Sequence, residues 1–162
     1  MYVRKATAQD ALTISILLDA AFDGPSENIL VRELRRAGAM GLELVSSREQ
    51  GGAIDGYVGF AKLDAPLDWW ALSPVAVLPR VQRQGIGAAL IRHGLDRARQ
   101  AGAKAISVLG DPHYYMRFGF SRDAARNLRT PYSKEYVMLY PLAQGTSGAS
   151  EHLVYPAAFS LI

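Results

Sequence analysis

The stretch from Trp69 to Ala101 constrains this chain more than any other. Trp69–Leu78 is nearly all apolar, Pro79 ends it, a polar turn follows, and Gly85 and Gly87 open a segment with a helical period. A strand this continuously apolar is covered on both faces, as in a central parallel or mixed sheet. In the segment from Gly85 to Ala101, Gly87, Leu90, Ile91, Gly94, Leu95, Ala98 and Ala101 share one face, while Arg92, His93, Asp96, Arg97, Arg99 and Gln100 share the other. Gly102 is a natural residue to end such a helix. Ala105–Leu109 then reads as a strand. Strand, glycine turn, amphipathic helix and strand make a βαβ-type unit.

Pro74 interrupts the apolar strand. Proline cannot donate to a sheet ladder, so it belongs at an edge or a bulge. A strand this apolar is no edge. The expectation is therefore a local break in pairing at Ser73-Pro74, leaving backbone groups free for a ligand.

Around this unit, Tyr2–Lys5 reads as a short strand and Thr7-x-x-Asp10 has the spacing of a capping box. The helix that follows turns Ala11, Ile14, Leu17, Leu18, Ala21 and Phe22 inward. A second helix, capped by Ser26, buries Ile29, Leu30 and Leu34. Leu42–Ser46 and Ile54–Leu63 read as strands, Tyr114–Phe118 as a short helix, and Tyr136–Tyr140 and Leu153–Tyr155 as late strands. The expected class is α/β (α+β) with a mixed sheet, in one domain spanning all 162 residues.

The chemistry lies in the glycine turn. A helix N-terminus offers free N–H groups and a partial positive charge, which suit a phosphate. Gly85 and Gly87 carry no Cβ, so an anion can approach the backbone closely. Arg80 and Arg83 add charge nearby. A Walker loop would need Gly-Lys-Ser/Thr, which is absent. A dinucleotide fingerprint would need a third glycine where Leu90 stands. The pattern is Gln82-x-x-Gly85-x-Gly87.

Composition removes other classes. The chain has no cysteine, so disulfides and thiol chemistry are excluded. Its 3 histidines are scattered without metal-ligand spacing. The net charge is +3, with 18 basic residues spread along the chain rather than gathered in a stripe, which argues against nucleic acid as a partner. The opening MYVRKATAQD has no apolar leader, and no stretch is long and apolar enough to span a bilayer. A cytoplasmic protein with no membrane partner is expected.

With the strand, the Gln-x-x-Gly-x-Gly turn and the helix together, the chain resembles the GNAT acetyltransferases. The run Val108–Phe120 and the tail Val154–Phe159 are similar to a bacterial, YhbS-like branch of that superfamily. The resemblance implies a strongly twisted mixed sheet whose central fourth and fifth strands splay apart around acetyl-CoA. It implies pantetheine against the backbone of Val75 and Val77. It also implies pyrophosphate on the backbone from Gln82 to Ala88, that is Gln82, Arg83, Gln84, Gly85, Ile86, Gly87 and Ala88. No metal is implied. The activity implied is N-acetyl transfer to a small-molecule or protein amine by direct attack in a ternary complex; the alternative is a non-catalytic acetyl-CoA-binding or sensing module. A tyrosine four residues before the glycine of a Gly-Phe pair is the family's general acid, which here is Tyr115, before Gly119-Phe120. Relatives often carry a glutamate on the fourth strand, but Trp70–Leu78 holds no acid. Asp68 lies close by in sequence, and Glu27 and Glu33 lie on the helix that in the family often walls the acceptor site; each reads as a solvated charge, as does His113. Trp69 and Trp70 read as core. GNAT proteins often form homodimers. The apolar tail (Leu153, Val154, Tyr155, Ala157, Ala158, Phe159, Leu161, Ile162) would serve either that or packing on its own domain.

Overall fold

The protein is described by a computed structural model covering residues 1–161; Ile162 of the tail lies outside the described residues. Six strands form one sheet in chain order: β1 (Tyr2–Lys5), β2 (Met40–Ser47), β3 (Ile54–Lys62), β4 (Trp69–Val77), β5 (Ala105–Leu109) and β6 (Val137–Pro141). Only β4 and β5 run parallel, and helix α3 (Ile86–Gln100) crosses between them. This is the βαβ-type unit and mixed sheet expected.

Side chains alternate across the strands, and both faces are covered. On one face Leu44, Val58, Phe60, Trp70, Leu72, Ile106 and Met138 pack beneath Leu90, Ile91, Leu95 and Ala98 of α3. On the other face, Val45, Tyr57 and Ala76 meet α1 (Ala11–Ala21) and α2 (Ser26–Arg36) through Ile14, Leu17, Leu18 and Val31. Trp69 and Trp70 are core residues on opposite faces. α3 lies very close to the sheet. A Cβ on Gly94 would stand 2.3 Å from the Phe60 ring, so only glycine fits there.

The capping box forms: Thr7 N–H donates to Asp10 Oδ2 at 2.8 Å. Arg4 adds an unforeseen fork, with Nη1 and Nη2 donating to the two Asp10 oxygens at 2.7 and 2.9 Å. That guanidinium holds the Asp10 carboxyl well below the usual carboxylate range.

Three expectations need correction. Ser26 does not cap α2; it is the first helical residue, and Pro25 takes the cap position. Ile29 is only half-buried, and Val31 takes the inward position beside Leu30 and Leu34. Leu153–Tyr155 is not a strand, because its contacts are isolated bridges, Ala65 with Val154 and Arg129 with His152. A strand there would need a continuous neighbour, and the segment lies instead beside Ala65 and Arg129, both outside the six strands. The tail packs on its own chain. Leu153, Ala158 and Phe159 are buried against Leu30, Ala71 and Leu139, while Val154 and Leu161 stay exposed.

Candidate active site

The break at Ser73-Pro74 is present on both sides of β4. Against β3, the register shifts between the pairs Val58↔Val75 and Phe60↔Leu72. Against β5, pairing covers only Trp69, Trp70 and Ala71. Beyond Ala71 and Ser107 the two strands part, and a wedge opens between them.

The free edge of β4 can be assigned. Leu78 N–H donates to the Asp55 carbonyl on β3 at 2.9 Å. Backbone direction alternates along a strand, so Ala76 also faces β3 while Val75 and Val77 turn N–H and C=O toward the wedge. The Gln82 side chain agrees, donating from Nε2 to the Val77 carbonyl at 3.0 Å. The glutamine thus ties the turn to the end of β4.

The turn itself is shaped by two left-handed residues, Arg83 at φ 64° and Gly85 at φ 84°. Glycine takes this conformation without penalty, whereas arginine does so at some cost. Gly85 caps α3, whose first helical bond runs from Ala89 N–H to the Gly85 carbonyl at 3.0 Å. The amides of Ile86, Gly87 and Ala88 precede that bond and project from the positive end of the helix.

These amides open on a groove of about 410 Å³ lined by Val77, Gln82, Arg83, Gly85, Ile86, Gly87 and Ala88. Tyr114 and Arg117 close its other side. Neither had been singled out for ligand contact from the sequence, because only the short helix α4 (Pro112–Tyr115) and the turn after it bring them across the wedge. Gln84 is exposed and does not line the groove, so of the phosphate-loop residues expected it alone lies outside.

A larger cleft of about 550 Å³ continues along the same strand edge. Val75 and Tyr115 face this cleft, whereas Val77 and Tyr114 face the groove. Tyr115 is fixed from several directions. Asp111 Oδ1 accepts from His113 N–H at 3.0 Å and so starts α4. The Tyr115 ring stands edge-on to Tyr114 and Phe120, at 5.1 and 5.8 Å between centroids. It also lies against Gly110, where a Cβ would sit 2.6 Å from Cε2. Burial, with the neighbouring Tyr114 adding to it, pushes the Tyr115 phenol up to about 12.

The far wall of the cleft comes from the end of α1 (Phe22), from α2 (Ser26, Glu27 and Leu30), from the loop before β6 (Tyr132) and from the tail (Tyr155 and Phe159). Burial likewise pushes Tyr155 up to about 12, although a hydrogen bond with Ser107 opposes it. Of the three acids considered from the sequence, only Glu27 reaches the cleft. Asp68 is exposed at the opposite end of β4, where its carbonyl accepts from Lys104 N–H. Glu33 pairs with Arg36 along α2 at 3.8 Å. His113 is exposed and lines neither hollow. The sequence carried no signal for Tyr132 and Tyr155, which come together only through the tertiary fold.

Among the described residues, no group of three or more His, Cys, Asp or Glu side chains converges. No helix among them is long and apolar enough to cross a membrane.

Residues 16–120 match the Acetyltransferase (GNAT) family. The chain is 37% identical over 132 residues to YhbS of Escherichia coli, described as an uncharacterized N-acetyltransferase, covering 80% of this chain and 78% of that protein. The crystal structure of E. coli YhbS in complex with CoA superposes with a TM-score of 0.89 at 32% identity, covering 98% of this chain and 91% of that one. A GNAT family acetyltransferase from Brucella melitensis in complex with acetyl-CoA gives a TM-score of 0.80 at 34% identity, covering 98% and 97%.

Proposed function

This chain belongs to the GNAT acetyltransferase family, and from that premise we propose that it transfers the acetyl group of acetyl-CoA to a primary amine by direct attack. The observation that carries the reading is the continuous path along β4, from the free amides of Ile86–Ala88, past the free edge of Val77 and Val75, to Tyr115. That path suits the three parts of the cofactor in order: pyrophosphate, pantetheine and thioester. Gly87 supports the fit, because a Cβ there would project toward Tyr114 Oη at 3.4 Å and Val77 at 3.7 Å, across the floor of the groove.

In this reading the helix amides and the positive end of α3 hold the pyrophosphate, with Arg83 and Arg117 beside it. The peptide groups of Val75 and Val77 pair with the pantetheine amides. Acetyl-CoA supplies the acyl carbon and a thiol leaving group. The acceptor ammonium first gives up a proton to water, because only the neutral amine can attack. The N–C bond then forms as the C–S bond breaks, and the nitrogen sheds its second proton to solvent to leave the neutral amide. A β4 edge N–H, that of Val75, donates to the carbonyl oxygen as charge gathers there.

Tyr115 donates toward the departing sulfur. Its phenol near 12 is fully protonated at neutral pH. It is also a weaker acid than a thiol, whose ordinary value is about 8.5. Tyr115 therefore serves chiefly as a hydrogen-bond donor that stabilises the leaving thiolate, which takes its proton from solvent.

Calorimetric titration with acetyl-CoA, with ATP as control, tests the cofactor site, and thiol release with an amine panel tests transfer. Saturable acetyl-CoA binding with weak ATP binding supports the reading. No binding to a folded protein removes it. Binding without thiol release from any amine leaves the sensing alternative. Tyr115→Phe should lower kcat while leaving acetyl-CoA affinity near the wild-type value.

A further inference from the structure

We propose that the acceptor end of the cleft selects a primary amine carried on an apolar body, with its ammonium against Glu27 and no carboxylate beside the amine. The inference rests on the acetyl-transfer reading above and adds the chemical class of the acceptor.

The charge inventory of the cleft carries it. Among the residues lining the cleft, Glu27 is the sole charged side chain; no lysine, arginine or histidine lines it. Glu27 is half-buried in the first turn of α2. None of the ion pairs among the described residues involves it. The other acidic groups facing the cleft are the phenols Tyr115, Tyr132 and Tyr155. Burial raises all three above their ordinary value, so they are neutral at physiological pH. The cleft thus presents one negative charge and no positive one. A single ammonium is matched there, whereas a second ammonium finds no second carboxylate.

An α-carboxylate fares worse. It would enter beside Glu27 with no cation to meet it, and a desolvated, unpaired charge is strongly disfavoured. Ser26, Ser73 and Ser107 add neutral hydroxyls to the lining, and the wall around Glu27 is otherwise apolar or aromatic: Phe22, Leu30, Tyr132, Tyr155 and Phe159. The aromatic cluster is ordered, with Tyr155 edge-on to Tyr132 at 5.1 Å and set against Phe159 at 5.3 Å between centroids. Such a wall gains from burying a hydrocarbon body, and its ring faces attract an ammonium. The chain's own tail forms one side of the cleft through Tyr155 and Phe159.

The test is thiol release by the full chain with acetyl-CoA and matched pairs of acceptors. 2-Phenylethylamine is set against phenylalanine, and isopentylamine against leucine, so that each pair differs only by a carboxylate. Spermidine and a short peptide with a free N-terminus complete the panel. The expected kcat/KM for each apolar amine exceeds that of its amino acid by about 100-fold, and that of spermidine by at least about 10-fold. Glu27→Gln should raise KM for the apolar amines about 10-fold with kcat little changed. It should also narrow the preference for the amine over its amino acid, a readout that a merely structural role would not move. Acetyl-CoA affinity and melting temperature, measured on the same variant, should stay near wild type.

Equal or better turnover of the amino acids, of spermidine or of the peptide overturns the inference while the acetyl-transfer reading stands. So does an unchanged KM in Glu27→Gln, or acetyl-CoA binding with no turnover of the apolar amines. Failure to bind acetyl-CoA at all overturns the underlying reading, and the inference with it.

Discussion

Gly110→Ala should misplace the Tyr115 ring without touching the cofactor groove. Gly110 is not among the glycines with positive φ, so alanine can adopt its backbone. The new Cβ would lie 2.6 Å from Tyr115 Cε2 and 3.2 Å from Cδ2. Ordinary contact begins near 3.4 Å, so the ring edge must retreat by 3.4 − 2.6 = 0.8 Å. It has little room, because Tyr114, Phe118 and Phe120 stand around it at centroid distances of 5.1, 6.5 and 5.8 Å. The hydroxyl moves with the ring. A misplacement of about 1 Å at a reacting group can cost on the order of 100-fold in rate. We expect kcat to fall by about 10- to 100-fold, with acetyl-CoA affinity within a few-fold of wild type. Steady-state kinetics with saturating amine would read the first, and calorimetry the second. The decisive comparison is the double variant with Tyr115→Phe. If Gly110 acts through the hydroxyl, adding Gly110→Ala to Tyr115→Phe costs little more. An undiminished kcat in Gly110→Ala would refute the reasoning. An equal loss in both backgrounds would show that the alanine acts elsewhere.

Other perturbations probe the groove, the core and the cap. Gly87→Arg places a long side chain across the groove floor between Val77 and Tyr114, and calorimetry should find acetyl-CoA affinity lowered by at least about 100-fold in a folded protein. Arg117→Ala should weaken acetyl-CoA binding by roughly 3- to 10-fold, and added salt should narrow the difference from wild type. Gly94→Ala drives a methyl into Phe60 and should cost about 1–3 kcal/mol of stability by denaturant unfolding. Asp10→Asn should lower the melting temperature at neutral pH. The native Asp10 pKa is depressed by Arg4, so its contribution is present above the unfolded value of about 3.9 and is lost as pH falls below it. Melting curves of the two proteins should therefore converge as the solution is acidified through that range.

Much of the fold was legible because local rules and the final packing agree. The apolar run Trp69–Leu78, the amphipathic period of α3 and the Thr7–Asp10 box each point to an element that forms with nearly those bounds. Pro74 foretold the break in pairing, because a missing donor is a local fact. Where expectations failed, long-range terms decided. Leu153–Tyr155 has a strand's composition, yet no continuous strand edge lies beside it, so it docks as an irregular segment. Ser26 has a capping side chain, but the turn at Pro25 starts the helix one residue earlier.

The site divides the same way. Gln82, Gly85 and Gly87 could be read from the sequence because a helix N-terminus and a left-handed turn are made by neighbouring residues, whose chemistry is fixed at short range. Tyr132 and Tyr155 could not, and Glu27, one of three nearby acids the sequence offers, reads there as a solvated charge, since a glutamate in the first turn of a helix looks like surface until another part of the chain closes over it. The sequence by itself determined the cofactor-binding unit. The tertiary structure alone decided the wall of the larger cleft, because that wall joins α2 to residues more than a hundred positions later, and it sets Glu27, half-buried, as the one charged side chain of the lining.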